Sequence, residues 1–303
     1  MPDIIIHGAT SFLGKHFIRK LISNQIPITV LARESSDISA VENSSFVRII
    51  RYKKSLSEIN TDTLNHASPS FFEFSWHGVF GADRNIPEQI SVNIPLIISS
   101  ITLAHQTNSK HWIGIGSQAE YGNLDKRITE LDECNPTTLY GKSKLWCSQI
   151  SSELCKSYNI EHSWLRLFSV YGPDDNHEWL IQYLIKEMLN DKDINVTKGE
   201  QLWDYLFIDD ISEMLFKLKD VNGVGIANLG SGKGVKVRYI IEKIKELTES
   251  KSQINFGTIP YREDQVMLME ADITRLSNHL NWKPETNMEE GLKKTIESFK
   301  VKV

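Results

Sequence analysis

The segment Ile4-Ile5-Ile6-His7-Gly8-Ala9-Thr10-Ser11-Phe12-Leu13-Gly14 sets a short run of isoleucines directly against the start of a helical pattern. Ile4 to Ile6 reads as a strand, and Phe12, Leu13, Phe17, Ile18, Leu21 and Ile22 then recur at helical spacing. A glycine at such a strand-to-helix turn lets the backbone approach a pyrophosphate. The N-terminus of the following helix adds unpaired N–H groups and the positive end of its dipole. Gly8 and Gly14 suit the first and last glycines of such a loop, with Thr10, Ser11, Phe12 and Leu13 between them. The structural alternative is a plain glycine-rich turn, and the strand before and helix after weigh against it.

The same alternation continues downstream. Pro27 introduces a strand at Ile28 to Leu31, with further strands at Phe46 to Ile50 and Phe71 to Phe74. From Val92 the residues Ile94, Ile97, Ile98, Ile101 and Ala104 keep one helical face, followed by a buried strand at Trp112 to Ile115. A helix over about Tyr140 to Tyr158 and a strand at Ser163 to Phe168 give six or more strands. Strands alternating with helices predict an α/β fold, a doubly wound parallel sheet of the Rossmann type. Beyond the turn signal Gly172-Pro173 the periodicity is mixed. A helix at Trp179 to Met188 is followed by short strands near Asn195 and Tyr205 to Ile208, then helices at Ile211 to Leu218 and Val237 to Leu247. The expected organisation is a dinucleotide-binding domain over 1–172 and a smaller, interleaved substrate-binding region over 173–303, some segments of which return to the first domain. There is no internal repeat or low-complexity tract.

Composition narrows the function. The chain has 303 residues, a net charge of −5, 40% hydrophobic and 24% charged residues, enough for one large or two ordinary domains of ~150 residues. No stretch approaches the ~20 consecutive apolar residues of a spanning helix. The start, Met1-Pro2-Asp3-Ile4, lacks the basic and long apolar regions of a signal peptide, so a cytoplasmic protein is expected. Cys134, Cys147 and Cys155 provide neither a disulfide framework nor a Cys-x-x-Cys pair. The acidic balance without a basic run argues against nucleic acid as a partner. The nine histidines are scattered and give no support to a metal site.

Chemistry enters at Tyr140-Gly-Lys-Ser-Lys144, where a phenol and an ammonium four apart share one helical face. A free tyrosine, with a pKa of about 10, is a poor acid or base at neutral pH unless a cation favours its phenolate. Lys144 is placed to be that cation. Tyr239 and Lys243 repeat the spacing, but no strand ending in serine precedes them, and they read as a solvated helix face. Ser117 follows the strand Trp112 to Ile115, at the sheet's carboxyl end where ligands bind in open α/β folds.

The glycine loop resembles that of the extended short-chain dehydrogenase/reductases, the NAD-dependent epimerase/dehydratase family, with Ser11 in place of the middle glycine. Gly-Ser117-Gln-Ala-Glu-Tyr121-Gly resembles the family's Ser-Ser-x-x-x-Tyr-Gly. The resemblance implies that Ser117 hydrogen-bonds the substrate oxygen, Tyr140 donates a proton, and Lys144 lowers the tyrosine pKa and holds the nicotinamide ribose. Asn93 resembles the asparagine that supports this lysine, with an ordinary helix-start asparagine as the alternative. Phe74-Ser75-Trp76 resembles the stretch that lies against the cofactor, and Phe168 and Ser169 fall in a segment resembling Arg-x-Phe-Asn-x-x-Gly-Pro. Trp203 and Tyr205 lie in an element resembling Arg-Asp-Tyr-x-x-Val-x-Asp, with tryptophan where an arginine often meets the diphosphate. Arg262, in Arg262-Glu-Asp264, is placed like a later phosphate-binding arginine. In the polar and aromatic stretch Trp76 to Asn85, His77 and Arg84 are candidate substrate contacts, or members of a loop packed for structural reasons.

The branch most resembled is that of nucleotide-sugar 4-ketoreductases such as the CDP-abequose and dTDP-D-fucose synthases. It implies reduction of a 4-keto-6-deoxy nucleotide sugar. A nucleotide-sugar 4-epimerase retaining NAD is the alternative, and a non-catalytic dinucleotide sensor, expected to lack Tyr140 or Lys144, is a second. The resemblance also implies a homodimer through the helices at 92–106 and 140–158, with Ile98, Leu145 and Cys147 either in that bundle or in the core. After the second strand, Arg33 takes the forward position and the carboxylate is displaced to Glu34. An arginine there suits the 2′-phosphate, so NADP(H) is expected over NAD(H), with Ser35 or Ser36 as added donors.

Overall fold

The computed structural model describes residues 4–64, 70–263 and 265–300, which leaves the quoted Met1 to Asp3 and Asp264 outside the described residues. The chain runs β1 (Ile4–His7), α1 (Phe12–Ser23), β2 (Ile28–Arg33), α2 (Ser39–Glu42), β3 (Val47–Tyr52), β4 (Ser70–Glu73), α3 (Glu88–Ser91), α4 (Asn93–Gln106) and β5 (His111–Ser117). It continues through β6 (Lys126–Ile128), α5 (Leu139–Ser157), β7 (Glu161–Leu167), β8 (Ser169–Tyr171), α6 (Leu180–Met188), β9 (Ile194–Val196), β10 (Leu202–Phe207) and α7 (Ile208–Leu218). The last elements are β11 (Gly225–Leu229), β12 (Gly234–Lys236), α8 (Val237–Thr248), β13 (Ile254–Phe256), β14 (Leu268–Ala271), α9 (Thr274–Leu280) and α10 (Met288–Lys300).

Seven strands form one sheet in the order β11-β7-β5-β4-β1-β2-β3, and every neighbouring pair is parallel. The run of isoleucines in β1 follows from burial on both faces. Ile4 and Ile6 join the cluster beneath α1 and α7, whereas Ile5 joins the cluster beneath α4 and α5. Burying each such side chain contributes about 1.5–3 kcal/mol. From β1 the chain builds β2 and β3 to one side, then returns to build β4, β5, β7 and β11 to the other. The crevice outside the carboxyl ends of β1 and β4 is therefore the topological switch point, the place where an open α/β sheet receives a ligand.

A second sheet, ordered β12-β10-β14-β6 with β8 beside β10, stands next to the first, and β13 pairs with β9. Neither of the two larger sheets comes from one continuous stretch. β11, from beyond residue 172, completes the large sheet, and β6, from before it, joins the small one. Among the described residues no helix is long and apolar enough to cross a membrane.

Candidate active site

Gly8 closes β1 with φ +86°, and a β-carbon there would stand 2.5 Å from the Ser75 nitrogen. One on Gly14 would stand 2.3 Å from the Gly8 carbonyl oxygen. Both glycines thus let the loop lie flat between β4 and α1. Ser11 caps α1, its Oγ accepting from the Gly14 N–H at 3.0 Å, which leaves its own hydroxyl proton available to a ligand. Thr10, Ser11, Phe12 and Leu13 line a cavity of about 1570 Å³. This exceeds the roughly 300–1,000 Å³ of a single small-molecule site. A dinucleotide and a second ligand fit it together, and the glycine cradle with the α1 N-terminus fits a pyrophosphate.

At the end of β2, Arg33 and Ser36 line the cavity with Lys15, whereas Glu34 is not part of its wall. Arg51 fixes this turn by donating to the carbonyls of Arg33, Glu34 and Ser36, each at 3.2 Å. Burial raises the Tyr52 pKa, and the neighbouring Arg33 opposes the rise. Tyr52 in turn meets His7 Nε2 at 2.7 Å, and His7 Nδ1 pairs with Glu73 at 2.8 Å.

The catalytic candidates converge from β5 and α5. Thr138 caps α5, accepting from the Gly141 N–H at 3.1 Å, and so places Tyr140 in the first helical turn. Ser117 ends β5 and closes a capping box with Glu120. Its Oγ accepts from the Ala119 N–H at 3.1 Å, and Ser117 and Tyr140 line the same cavity. Lys144, one turn further on, is buried, and burial pulls its pKa down to about 8. Its ammonium donates to the Ile115 carbonyl at 2.6 Å and lies 3.6 Å from the Trp76 ring centroid. Burial raises the Tyr140 pKa, opposed by the Ser117 hydrogen bond and by the charge of Arg84. On sequence grounds Lys144 is the cation that lowers this phenol. Arg84 Cζ lies 4.5 Å from the Tyr140 ring centroid and the Lys144 ammonium 5.9 Å from it, hydrogen-bonded to Ile115 and over Trp76.

Two further candidates meet at the start of α4. Asn93 is buried at the start of α4, but its hydrogen bonds go to the His77 N–H at 2.8 Å, the His77 carbonyl at 3.1 Å and Gln89, not to Lys144. The His77 side chain is exposed and off the cavity wall, so only its backbone is held. Arg84 does line the cavity, as do Phe74, Ser75, Trp76, Phe168, Ser169, Trp203, Tyr205 and Arg262. Trp203 is fixed by its indole N–H, which donates to the Val266 carbonyl at 3.2 Å.

Several residues of the site lie outside the motifs of the sequence. Gln89 gathers the loop after β4, donating to the carbonyls of Gly78 and, at 2.9 Å, Asp83, and accepting from the Trp76 indole at 3.0 Å. Its signal was a polar residue four before Asn93, on the same helical face. Glu120 is buried against Arg166 at 2.8 Å and accepts from the Trp164 indole at 2.9 Å. Asp175 lines the cavity, is buried, and has its pKa pushed up to about 7 by burial. Gln201, also on the wall, has an Oε1 with no protein partner. Nothing in sequence spacing marks the last two.

The NAD-dependent epimerase/dehydratase family model matches residues 4–230. The chain belongs to this family. CDP-abequose synthase of Salmonella muenchen is 29% identical over 304 residues, covering 97% of this chain and 96% of the relative. The dTDP-4-dehydro-6-deoxyglucose reductase of Escherichia coli is 23% identical, covering 99% and 98%. Among solved structures, MoeE5 in complex with UDP-glucuronic acid and NAD superposes with a TM-score of 0.85 at 22% identity, covering 99% of this chain and 100% of that one. UDP-glucose 4-epimerase from Thermotoga maritima superposes at 0.83 and 21%, covering 99% of each. The fold is thus that of the epimerase/dehydratase structures. The protein is an enzyme of the extended short-chain dehydrogenase/reductase type. Within this family, its departure at Ser11 is absorbed by the helix cap described above.

Proposed function

We propose that this epimerase/dehydratase-family enzyme reduces the 4-keto group of a nucleotide-linked 6-deoxy sugar, with NADPH as the preferred donor. The reading is carried by Ser117, Tyr140 and Lys144, which together line the wall of a cavity with room for two ligands. It is supported by likeness over nearly the whole chain to a relative named as a 4-dehydro-6-deoxy sugar nucleotide reductase. Gly8 and Thr10 to Leu13 would hold the pyrophosphate, and Phe74, Ser75 and Trp76 the stretch beyond it. Arg33 with Ser36 would take the 2′-phosphate, a reading supported by the absence of Glu34 from the wall. The bound nicotinamide supplies the hydride. Ser117 holds the substrate oxygen by hydrogen bonding, and Tyr140 gives its proton to that oxygen as negative charge develops on it. Lys144 holds the nicotinamide ribose, while Ser169, Trp203, Tyr205 and Arg262 receive the nucleotide portion of the substrate. In this reading residues 1–172 hold the cofactor and 173–303 supply most substrate contacts.

A homodimer through α4 and α5 belongs to the same reading. Ile98 of α4 and Trp146 of α5 are exposed, as are Ile90 and Val92 just before α4, whereas Cys147 is in the core. Light scattering at micromolar concentration should give twice the chain mass, and a monomer would reject it.

The deciding experiment mixes purified protein with NADPH and a 4-keto-6-deoxy nucleotide sugar and follows nicotinamide absorbance. Stoichiometric NADPH oxidation with formation of the 4-hydroxy sugar is expected. Protein that retains NAD through purification and interconverts 4-epimers without consuming NADPH would overturn the reading in favour of an epimerase.

A further inference from the structure

At the carboxyl edge of the large sheet a chain of buried polar groups links three strands. Glu73, which ends β4, accepts from the Ser75 N–H at 2.8 Å and pairs with His7 Nδ1 at 2.8 Å. His7, which ends β1, meets the Tyr52 hydroxyl of β3 through Nε2 at 2.7 Å. Tyr52 is the register partner of Arg33 across β3 and β2, so the two side chains start from the same face of the sheet. All four residues line the cavity, although His7 and Glu73 are only 2% exposed and Tyr52 5%.

The number of protons in this chain decides what Tyr52 can offer a ligand. An ionised carboxylate only accepts, so the pairing with Glu73 places a proton on His7 Nδ1. Without a second proton on the ring, Nε2 accepts the Tyr52 O–H, and the phenol has only lone pairs left to present. With a second proton, Nε2 donates to the phenolic oxygen and the hydroxyl proton is released toward the cavity. A phosphate dianion only accepts, so it is matched by the second state alone, and its charge favours the added proton. A ribose hydroxyl both donates and accepts, and either state meets it.

We propose that Tyr52, set by His7 and Glu73, is a specificity residue for the 2′-phosphate of NADP(H), and that this cofactor takes up one proton at the Glu73–His7 pair as it binds. This rests on the reading that the 2′-phosphate is received beside Arg33. The charged and titratable groups facing the pair are Tyr52 from β3, Arg33 from the end of β2 and Lys144 from α5, with Glu58 from the turn after β3 acting on Tyr52. Arg33 stays charged at every working pH. Lys144 is assigned to the nicotinamide ribose, a part common to both dinucleotides, so its titration cancels when the two are compared.

The test is the ratio of the dissociation constants of NADPH and NADH, read by nucleotide fluorescence on the full-length protein. It is measured from about pH 7 to about pH 9, above the second ionisation of a phosphate ester near pH 6. One proton taken up with NADPH alone weakens it against NADH by up to about tenfold per pH unit. The ratio should therefore rise about tenfold or more across the range. Tyr52→Phe, which keeps the ring, should flatten this dependence and weaken NADPH at pH 7 while sparing NADH. Glu73→Gln should flatten it too, by withdrawing the charge that keeps the second proton on His7. A ratio independent of pH in the parent, or a dependence that survives in Tyr52→Phe, overturns the proposal. Failure of the NADPH reading looks different: NADH then binds more tightly at every pH, while a ratio that still moves with pH and flattens in Tyr52→Phe upholds the role of Tyr52.

Discussion

Two helices of this protein carry a tyrosine and a lysine four residues apart, and their local geometries are nearly the same. The ammonium lies 5.9 Å from the ring centroid in the Tyr140–Lys144 pair of α5 and 6.0 Å from it in the Tyr239–Lys243 pair of α8. Their surroundings differ. Lys144 is 4% exposed, has no carboxylate in contact and has its pKa pulled down to about 8. Lys243 meets Glu246 at 2.7 Å and Glu289 at 3.6 Å, and the Glu246 hydrogen bond pushes its pKa up. Tyr239 is 43% exposed, whereas Tyr140 lines the cavity together with Ser117. Helical spacing brings the two side chains together in both places. Only the pair at the carboxyl edge of the sheet, one turn into a capped helix, is dry and faces a second functional group.

Removing the hydroxyl is the strongest way to break this contrast. Tyr140→Phe should lower turnover by about 10³-fold, because a positioned acid contributes on the order of 10²–10⁴. Its affinity for the dinucleotide, read by nucleotide fluorescence, should stay within twofold. Tyr239→Phe should leave both unchanged. Turnover of Tyr140→Phe within tenfold of the parent would erase the distinction between the two pairs.

The next effect sharpens the same lesson on adjacent residues. Arg33 and Glu34 differ by one position at the end of β2, yet only Arg33 is on the cavity wall. Arg33→Ala should raise the KM for NADPH by about 10–100-fold, the loss of one charge-assisted phosphate contact, with little change for NADH. Glu34→Ala should change neither. If instead Glu34→Ala weakens NADH and Arg33→Ala does nothing, the carboxylate governs the site and NADH is the natural donor.

What could be read from the chain follows the same division between local pattern and environment. β1 and α1 were legible because three isoleucines buried on two faces and an apolar helical stripe are local signals. β11 was not, since Gly225-Ile-Ala-Asn-Leu has too few apolar residues to announce a strand and gains its burial only from β7 beside it. Ser117, Tyr140 and Lys144 were legible as neighbours of a sheet edge. The position of Arg84 beside the Tyr140 ring was not, because it depends on Gln89, Asn93 and Asn85 holding a loop whose sequence carries no period. Asp175 and the unpartnered oxygen of Gln201 have the same cause: both become visible only when distant segments close one cavity.

The smallest expected effect concerns stability, and it has opposite signs at the two lysines. The pKa of Lys144 falls from 10.5 in the ordinary side chain to about 8 in the fold. Between those values the unfolded chain binds more protons than the native one, so this group's contribution to stability rises with pH across that window. Below about pH 8 the full penalty of a buried ammonium is present, at most about 3 kcal/mol at 1.36 kcal/mol per unit. Lys144→Met removes that penalty and leaves the Ile115 carbonyl to water in the cavity, at a cost of about 1 kcal/mol. The variant should therefore be more stable than the parent by about 1–2 kcal/mol at pH 7, with the gain fading by pH 10.5. Lys243 has the reverse linkage. Its raised pKa means that its pairing with Glu246 stabilises the fold at neutral pH and loses that effect only above its folded pKa. Lys243→Met should then lower the melting temperature slightly at pH 7, and less in high salt. Thermal melts of both variants across pH 7 to 10.5 check the pair. Parallel shifts in the two would mean that Lys144 is no more desolvated than a surface lysine, and the contrast between the helices would fail at its physical root.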